Sequence, residues 1–316
     1  MNEGRSAPDL GAAIDVGSSS VHLLVATVGG DGLHLVEEAS AFLGLGSAVR
    51  DRRRLGSEKA GELVAALTGF ADRARELEAG SPTVVATEPL RRALDAARVV
   101  RLVERDAGLA LHVLSHEEEG LLTLIGVTGG RPPTDGLVVV DVGGGSTEVV
   151  AADERRAVAV GLPLGTAQLT DRYVRHDPPT ATEMEGMLAE ARSMVGDAID
   201  GTAVELVAVG GTADKVARIV PDPSLGSTLT ASRLAAALEV LGRERADDLA
   251  VRHDLRPVRA RLLPAGVAIL MALIERYRAE RIRVSASGIR EGSIIAVRQA
   301  GVGWRDALPR LAAGSR

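Results

Sequence analysis

A glycine-rich turn flanked by two carboxylates is the stretch of this sequence best suited to chemistry. Residues 137–142 form an apolar, β-branched run that predicts a buried strand, and residues 147–150 predict the strand that returns from the turn. Asp141 precedes the turn Gly143-Gly144-Gly145-Ser146, and Glu148 follows it. Glycines let backbone N–H groups approach an anion such as phosphate, and Mg²⁺ is commonly held by carboxylates together with phosphate oxygens. The stretch favours a Mg²⁺–phosphate site over the alternative, an ordinary glycine-rich hairpin.

A second copy of this pattern lies near the N-terminus. Asp15 precedes the turn Gly17-Ser18-Ser19-Ser20, and apolar, β-branched strands flank it. The two stretches align position by position, with Asp15 on Asp141, Gly17 on Gly143, Ser20 on Ser146 and His22 on Glu148. Similarity over such a long interval indicates two related halves rather than a solenoid. Two halves that each carry a phosphate turn predict a cleft between domains, where small molecules often bind.

Two further positions suggest contacts with an anion. Gly210-Gly211-Thr212 follows the predicted strand at 204–209 and precedes a helix, an arrangement that offers backbone donors, although a tight turn explains it equally well. Arg91 lies in the first turn of a helix that begins after the predicted strand at 83–86. A cation there opposes the helix dipole, which suggests a tertiary partner such as phosphate.

Composition limits the class of protein. The 316 residues suffice for two domains, and 46% hydrophobic with 25% charged residues is typical of a folded globular chain. The absence of cysteine excludes disulfides and thiolate chemistry, and the net charge of −6 argues against a general nucleic-acid binder. Residues 1–10 are polar and no apolar run has the length of a membrane span, so we expect a cytoplasmic protein without membrane contact.

Two local patterns predict a surface loop and a helix start. Residues 50–54 read Arg-Asp-Arg-Arg-Arg, which is typically a solvated loop, the alternative being a basic rim that guides a phosphate chain. Thr182 and Glu185 have the spacing of a capping box, so a helix is expected from there to about residue 199.

The order of these motifs resembles the exopolyphosphatase and guanosine pentaphosphate phosphatase (Ppx/GppA) family, in its short two-domain form, within the actin-like ATPase superfamily. The resemblance implies an α/β fold of two ribonuclease H-like domains facing a central cleft. The glycines and prolines of residues 129–133 predict a linker, which divides the chain into an N-terminal domain at 1–128 and a C-terminal domain at 129–300. We expect the tail at 301–316 to pack back on the first domain. The matching stretches cover 14–18, 87–93, 115–127, 140–148, 162–170, 210–212, 263–266 and 288–292.

The resemblance also implies roles for individual residues. Glu119, the last of three consecutive glutamates, would be the catalytic base, although acidic residues also favour a helix N-terminus for electrostatic reasons. Arg91 would contact the terminal or departing phosphate, and Asp141, Glu148 and Asp15 would hold Mg²⁺ or Mn²⁺. The phosphates would lie against three backbone segments, Gly17 to Ser20, Gly143 to Ser146 and Gly210 to Thr212.

Several residues depart from the family pattern. Ser19 replaces an asparagine, Leu121 replaces an arginine and His116 replaces a glycine. Glu88 replaces a small hydroxyl residue, and it would either pair with Arg91 or repel the substrate.

The expected reaction is metal-dependent hydrolysis of the terminal phosphoanhydride of inorganic polyphosphate, which releases orthophosphate. The alternatives are a guanosine pentaphosphate (pppGpp) phosphohydrolase and a non-catalytic phosphate or nucleotide sensor. The departures at Ser19, Glu88 and Leu121 motivate the sensor. The sequence leaves the substrate length and the oligomeric state open, with a homodimer as one option.

Overall fold

The computed structural model describes residues 10–29 and 32–314. Contacts within the chain divide it into two compact units. The first comprises Met1–Arg131 with Ile289–Arg316, and the second comprises Pro132–Gly288. Residues 1–9, on which the cytoplasmic prediction partly rests, lie outside the described residues.

The first unit is built on a mixed sheet whose first three strands form an antiparallel meander. In its described part the sheet has the order β3-β2-β1-β4-β5, and β1, β4 and β5 are parallel. The interior of β1 is buried from Ala12 to Ile14, as expected for a central strand that is covered on both faces. The strands are β1 (Leu10–Val16), β2 (Ser20–Gly29), β3 (Gly32–Phe42), β4 (Thr83–Ala86) and β5 (Leu111–Val113).

The sheet of the second unit repeats this topology. Its order is β10-β11-β9-β6-β7-β8, so that β8-β7-β6-β9-β11 corresponds strand by strand to the sheet of the first unit. Here too, the first three strands are antiparallel and the next two are parallel. The prediction of two related α/β domains is confirmed. The strands are β6 (Leu137–Val142), β7 (Thr147–Ala152), β8 (Ala157–Leu162), β9 (Glu205–Val209), β10 (Leu229–Thr230) and β11 (Arg281–Val284).

Helices fill the connections between strands. Those up to residue 195 are α1 (Leu45–Arg52), α2 (Gly56–Glu76), α3 (Glu88–Arg92), α4 (Ala96–Ala107), α5 (His116–Thr128), α6 (Thr166–Tyr173) and α7 (Ala181–Val195). The later ones are α8 (Gly211–Ile219), α9 (Ala231–Leu241), α10 (Ala246–Arg252), α11 (Pro257–Ala260), α12 (Leu263–Arg276), α13 (Ile289–Ala300) and α14 (Trp304–Ala312). The capping box of α7 pairs Thr180 with Glu183, so the predicted box two residues later is wrong.

The last two helices complete the first unit. α13 packs on α5 and β1, and a methyl group added at Gly292 would overlap the Leu122 carbonyl oxygen. α14 packs on α5, and its first residue, Trp304, meets the His112 ring edge-on at 5.4 Å. The structure therefore places residues 289–300 with the first unit, whereas the sequence analysis assigned them to the C-terminal domain. The physical reason is the close α5–α13 contact, which only a glycine at position 292 allows.

One stretch of the second unit is long and apolar enough to cross a membrane. This is Pro257–Arg276, and 67% of its most apolar window is buried inside the protein. Arg259, Arg261 and Glu275 interrupt the stretch, so its uninterrupted apolar run covers only residues 262–274. α12, which makes up most of the stretch, packs against α6, α7, α8 and α9, as a core helix does.

Candidate functional site

The glycine turn of the second unit has its carbonyl groups tied to α6. The backbone N–H groups of Thr166 and Ala167 donate to the carbonyls of Gly143 and Gly144 at 3.0 and 2.9 Å. The Gln168 side-chain amide donates to the Gly145 carbonyl at 2.7 Å. Three consecutive carbonyls thus point into the unit and cap the N-terminus of α6.

The N–H groups of the same turn are oriented differently. Gly143 donates to the Ser146 carbonyl at 2.9 Å, which closes the turn. The N–H groups of Gly144 and Gly145 donate to no other residue among those the structure describes. Successive backbone donors without protein acceptors form the kind of nest that binds an anion. The turn is therefore suited to phosphate.

Asp141 and Glu148 lie directly opposite each other on β6 and β7. Residues in that register project to one face with Cβ atoms about 5 Å apart. Glu148 is only 2% exposed, and Asp141 is partly buried. Two carboxylates so close repel each other unless a cation lies near them, and one or two carboxylates are what Mg²⁺ prefers.

The Gly210-Gly211-Thr212 turn lies beside Asp141. Gly210 has a φ of +85°, and a Cβ there would come 2.9 Å from Asp141 Oδ1. The Thr212 hydroxyl donates to the Val142 carbonyl at 3.0 Å, which fixes the start of α8 against β6. Burial and the neighbouring Arg259 lower the pKa of Lys215, one turn further along α8. The structure thus brings this turn to the carboxylate that the sequence singled out.

The serine turn of the first unit repeats this geometry. Gly17 donates to the Ser20 carbonyl at 3.1 Å, as Gly143 does to Ser146. The carbonyl oxygens of Ser18 and Ser19 accept from the segment 43–46, which contains the start of α1. The Thr87 hydroxyl lies 3.5 Å from the Val16 carbonyl, the counterpart of Thr212 and Val142. The Asp15–His22 pair likewise has the register of Asp141 and Glu148.

Asp15 provides a test of whether a cation fits the first unit. Its Oδ1 atom is buried and has no hydrogen-bond partner in the part of the chain that the structure describes. Burial raises the pKa of this carboxyl to about 6, partly offset by the charge of Arg290 on α13. A buried carboxylate oxygen without a hydrogen-bond donor is a candidate for contact with a metal ion. Asp15 therefore fits the predicted Mg²⁺, as do the carboxylates of Asp141 and Glu148 described above.

The three consecutive glutamates of α5 have three different environments. Glu117 is exposed, and its side chain forms no hydrogen bond or ion pair with any described residue. Glu118 closes a capping box with Ser115 and also binds Arg305 of α14 through two contacts of 2.8 Å. Glu119 is 7% exposed. Simple helix-dipole complementarity would not separate them in this way.

Glu119 is held by Arg91. The Arg91 Nη1 donates to a Glu119 carboxylate oxygen at 2.7 Å and to the Leu114 carbonyl at 3.0 Å. Arg91 therefore pairs with the candidate base in this structure, and the contact of Arg91 with a phosphate stays a prediction. Glu88 pairs with Arg92 at 2.9 Å and accepts from the Ser18 hydroxyl at 2.7 Å, which corrects its expected pairing with Arg91.

Sequence reasoning gave three residues near these groups no role. His116 and Glu119 lie one turn apart on α5, and a ring nitrogen of His116 lies within 4.8 Å of a carboxylate oxygen of Glu119. The His116 nitrogen is therefore a candidate ligand for a metal ion bound at this place. Their spacing of three on a helix was the available signal. Arg290, near Asp15, and Arg305, bound to Glu118, belong to helices that are distant in sequence, and no local pattern indicated either contact.

Comparisons with known sequences agree with these features. Residues 24–299 match the model of the Ppx/GppA phosphatase family. The chain is 28% identical to Exopolyphosphatase 1 of Mycobacterium tuberculosis, over 89% of this chain and 86% of that protein. It is 26% identical to the guanosine-5'-triphosphate,3'-diphosphate pyrophosphatase of Vibrio atlanticus, over 90% of this chain but 58% of that protein.

Solved structures show the same relationship. The crystal structure of the Aquifex aeolicus Ppx/GppA family member is 27% identical and superposes with a TM-score of 0.80, covering 93% of this chain and 98% of that chain. A Cytophaga hutchinsonii exopolyphosphatase shares the fold at 17% identity, with a TM-score of 0.80 and 93% and 99% of the two chains covered. The match of the family model over most of the sequence confirms the resemblance, and this chain belongs to the Ppx/GppA phosphatase family.

Proposed function

We propose that this protein is an exopolyphosphatase that removes orthophosphate from the end of inorganic polyphosphate. The observation that supports this most strongly is the pair of equivalent turns, in which the carbonyls are tied inward and the Ser18, Ser19, Gly144 and Gly145 N–H groups donate to no described residue. Phosphoryl transfer needs positioning and charge neutralisation more than covalent chemistry, and such donors provide both.

In this proposal Glu119 orients the attacking water. The water oxygen forms a bond to the terminal phosphorus, and the bridging P–O bond breaks with its electron pair on the shortened chain. Glu119 accepts the proton. Arg91 holds the carboxylate in place through its 2.7 Å contact, so Arg91 acts on the reaction through the base. The two turns hold the oxygens of the phosphates.

Asp141 and Glu148, together with Asp15, are the residues that we propose hold Mg²⁺ or Mn²⁺. A bound divalent cation would neutralise charge on the phosphate oxygens. The directly opposed carboxylates on β6 and β7 and the unpartnered Oδ1 of Asp15 support this assignment. The choice between the two metals, the cytoplasmic location and the homodimer remain predictions from the sequence.

Guanosine pentaphosphate is the second candidate substrate. The relatives named guanosine-5'-triphosphate,3'-diphosphate pyrophosphatase, at 26% identity, support it. The Exopolyphosphatase 1 relatives support the first candidate at 28% identity, and a larger share of their length matches this chain.

The direct test is phosphate release from polyphosphates of several lengths, guanosine pentaphosphate and ATP, measured beside equilibrium binding. We expect polyphosphate to be the best substrate by kcat/KM. Preference for guanosine pentaphosphate would support the second candidate. Binding of polyphosphate without any release would show the non-catalytic sensor instead.

A further inference from the structure

An exposed group of arginines on the first unit has no role in the proposed reaction. We call it the arginine surface and define it by Arg52, Arg53, Arg54, Arg92, Arg98 and Arg101, all of which are exposed. The first three end α1 or follow it, and the others lie on α3 and α4. Residues from two separate segments of the chain thus contribute to one surface.

Backbone contacts bring these two segments together. The Leu94 N–H donates to the Arg53 carbonyl at 2.9 Å. The buried carboxylate of Asp95 accepts from the N–H groups of Leu55 and Gly56 at 2.8 and 3.0 Å. Both carboxylate oxygens of Asp95 therefore bind the backbone. Burial raises the pKa of Asp95, but these backbone hydrogen bonds, with a smaller contribution from the charge of Arg54, lower it below its ordinary value.

The charge of this region is opposite to that of the chain. Residues 50–54 and 88–101 together carry eight arginines and three carboxylates, a formal charge of +5, whereas the whole chain has −6. Arg92 pairs with Glu88. Within the described residues Arg52, Arg53, Arg98 and Arg101 form no ion pair. Like charges gathered without counter-charges repel one another, so an anion bound there would relieve the repulsion.

The arginine surface is connected to the serine turn of the first unit by two short paths. Gly46, at the start of α1, donates to the Ser18 carbonyl at 2.7 Å, and the eight residues of α1 rise about 11 Å to the arginine run. Glu88 accepts from the Ser18 hydroxyl, and Arg92, one turn later on α3, pairs with Glu88. A chain whose end lies at the turn could therefore extend to the arginines.

We propose that the arginine surface binds the distal phosphates of a long polyphosphate chain. This inference rests on the proposed function, because it assigns the end of that chain to the turns. Guanidinium groups match phosphate oxygens with two parallel hydrogen bonds, and a row of arginines suits a linear polyanion better than a compact nucleotide. An open depression of about 710 Å³ continues along α4 and is lined by Arg98, Arg101 and Arg105 together with Leu102 and Glu104. Arg105 itself pairs with Asp106, so Arg98 and Arg101 are the arginines that it offers to an anion.

Two double variants test the surface, Arg53→Gln/Arg54→Gln and Arg98→Gln/Arg101→Gln. We expect each to raise the KM for long-chain polyphosphate about tenfold and to flatten its salt dependence, because fewer counterions are released on binding. The KM for tripolyphosphate, which is too short to extend from the turn, should stay within about twofold of the parent value. The matched control is Arg155→Gln/Arg156→Gln, exposed residues of the β7–β8 turn that lose the same charge.

Equilibrium binding of a labelled long-chain polyphosphate gives a readout that needs no turnover. If the parent releases no phosphate but both surface variants bind the chain more weakly than the control, the proposed function fails and the surface stands. If the parent is active and both surface variants behave like the control, the surface proposal is overturned and the function stands. The surface proposal is also overturned if single-stranded RNA of equal charge binds the parent more tightly than polyphosphate does and the same arginine variants weaken that binding. The ligand of the surface would then be a nucleic acid. Thermal unfolding of each variant confirms that it is folded.

Discussion

Glu117, Glu118 and Glu119 are neighbours in sequence, yet only Glu119 is buried against Arg91. Because positioned acid–base groups contribute on the order of 10²–10⁴ in rate, we expect Glu119→Gln to lose most single-turnover phosphate release while still binding polyphosphate. Glu117→Gln is the matched control and should behave like the parent, since the Glu117 side chain is exposed and forms no hydrogen bond or ion pair with described residues. A Glu119→Gln protein that turns over at the parent rate would show that another group is the base.

The Arg91–Glu119 pair also predicts an effect on stability. The two side chains are 15% and 9% exposed, so removal of the arginine takes an opposite charge away from a largely buried carboxylate. We expect Arg91→Met to lower the free energy of unfolding by about 3 kcal/mol, and Glu119→Gln in the same background to restore part of it. Chemical denaturation of the four proteins of this cycle measures the coupling.

The control for this cycle is Arg75→Met. The Arg75 and Asp72 side chains are 68% and 54% exposed where they pair, so loss of the arginine should cost no more than about 1 kcal/mol. Equal effects of Arg91→Met and Arg75→Met would contradict a special role for the buried pair.

A substitution at Asp141 tests whether this carboxylate binds a metal ion. Asp141→Asn keeps the shape of the side chain but removes one of two opposed carboxylate charges, so calorimetry should show weaker Mg²⁺ binding and phosphate release should fall strongly. EDTA should abolish the activity of the parent. Glu154→Gln, an exposed carboxylate beyond β7, is the control and should bind Mg²⁺ like the parent. Full activity in metal-free buffer would refute the assignment.

For single residues, the sequence predicted which side chains belong to the candidate site, but it did not predict all of their hydrogen-bond partners. The sequence predicted Asp141 just before the turn and Glu148 just after it, and the register of the hairpin in the structure sets them directly opposite each other. The contacts of Arg91 with Glu119 and of Glu88 with Ser18 could not be obtained in this way, because they span 28 and 70 positions and depend on tertiary packing. The Glu88–Arg92 pair is instead a local contact between residues four apart on one helix, which their spacing indicates.

Among the elements, the contact of α13 with α5 gives the sharpest prediction. Gly292→Ala would place a methyl group on the Leu122 carbonyl oxygen of α5, so the helices would have to separate. We expect a loss of about 3 kcal/mol or more, measured as a fall in the urea midpoint. Gly69→Ala is the control, since Gly69 occupies an exposed position of α2 and a Cβ added there would meet no atom within 4 Å. That change should stabilise the protein by about 0.5–1 kcal/mol. A Gly292→Ala protein as stable as the parent would mean that the helices adjust freely.

The elements themselves were partly readable from sequence. The two hairpins and their equivalence follow from repeated Asp-x-Gly turns between apolar strands, and local pattern was sufficient there. The start of α7 was misjudged because Thr180 and Thr182 each have a glutamate three residues later. The structure selects Thr180, whose hydroxyl accepts from the Glu183 N–H, and spacing alone could not distinguish the two.

For the whole molecule, the division into units predicts how fragments behave. The second unit is continuous, from Pro132 to Gly288, and its core residues come from that segment alone. A fragment of residues 132–288 should therefore unfold cooperatively on heating. Residues 1–131 alone should not, because they lack α13, which covers β1 and α5. Circular dichroism melts of the two fragments measure this, and a cooperative melt of 1–131 would contradict it.

The same division has a consequence for synthesis on the ribosome. Chains emerge from their N-terminus at about 5–20 residues per second, so roughly 8–30 seconds separate the appearance of residue 131 from that of residue 289. By the end of this interval the second unit has all of its own sequence, whereas the first still lacks the helix that fits against Gly11 and Leu122. The part made first is thus completed last, and its uncovered apolar strands are where a nascent chain of this protein would need a chaperone.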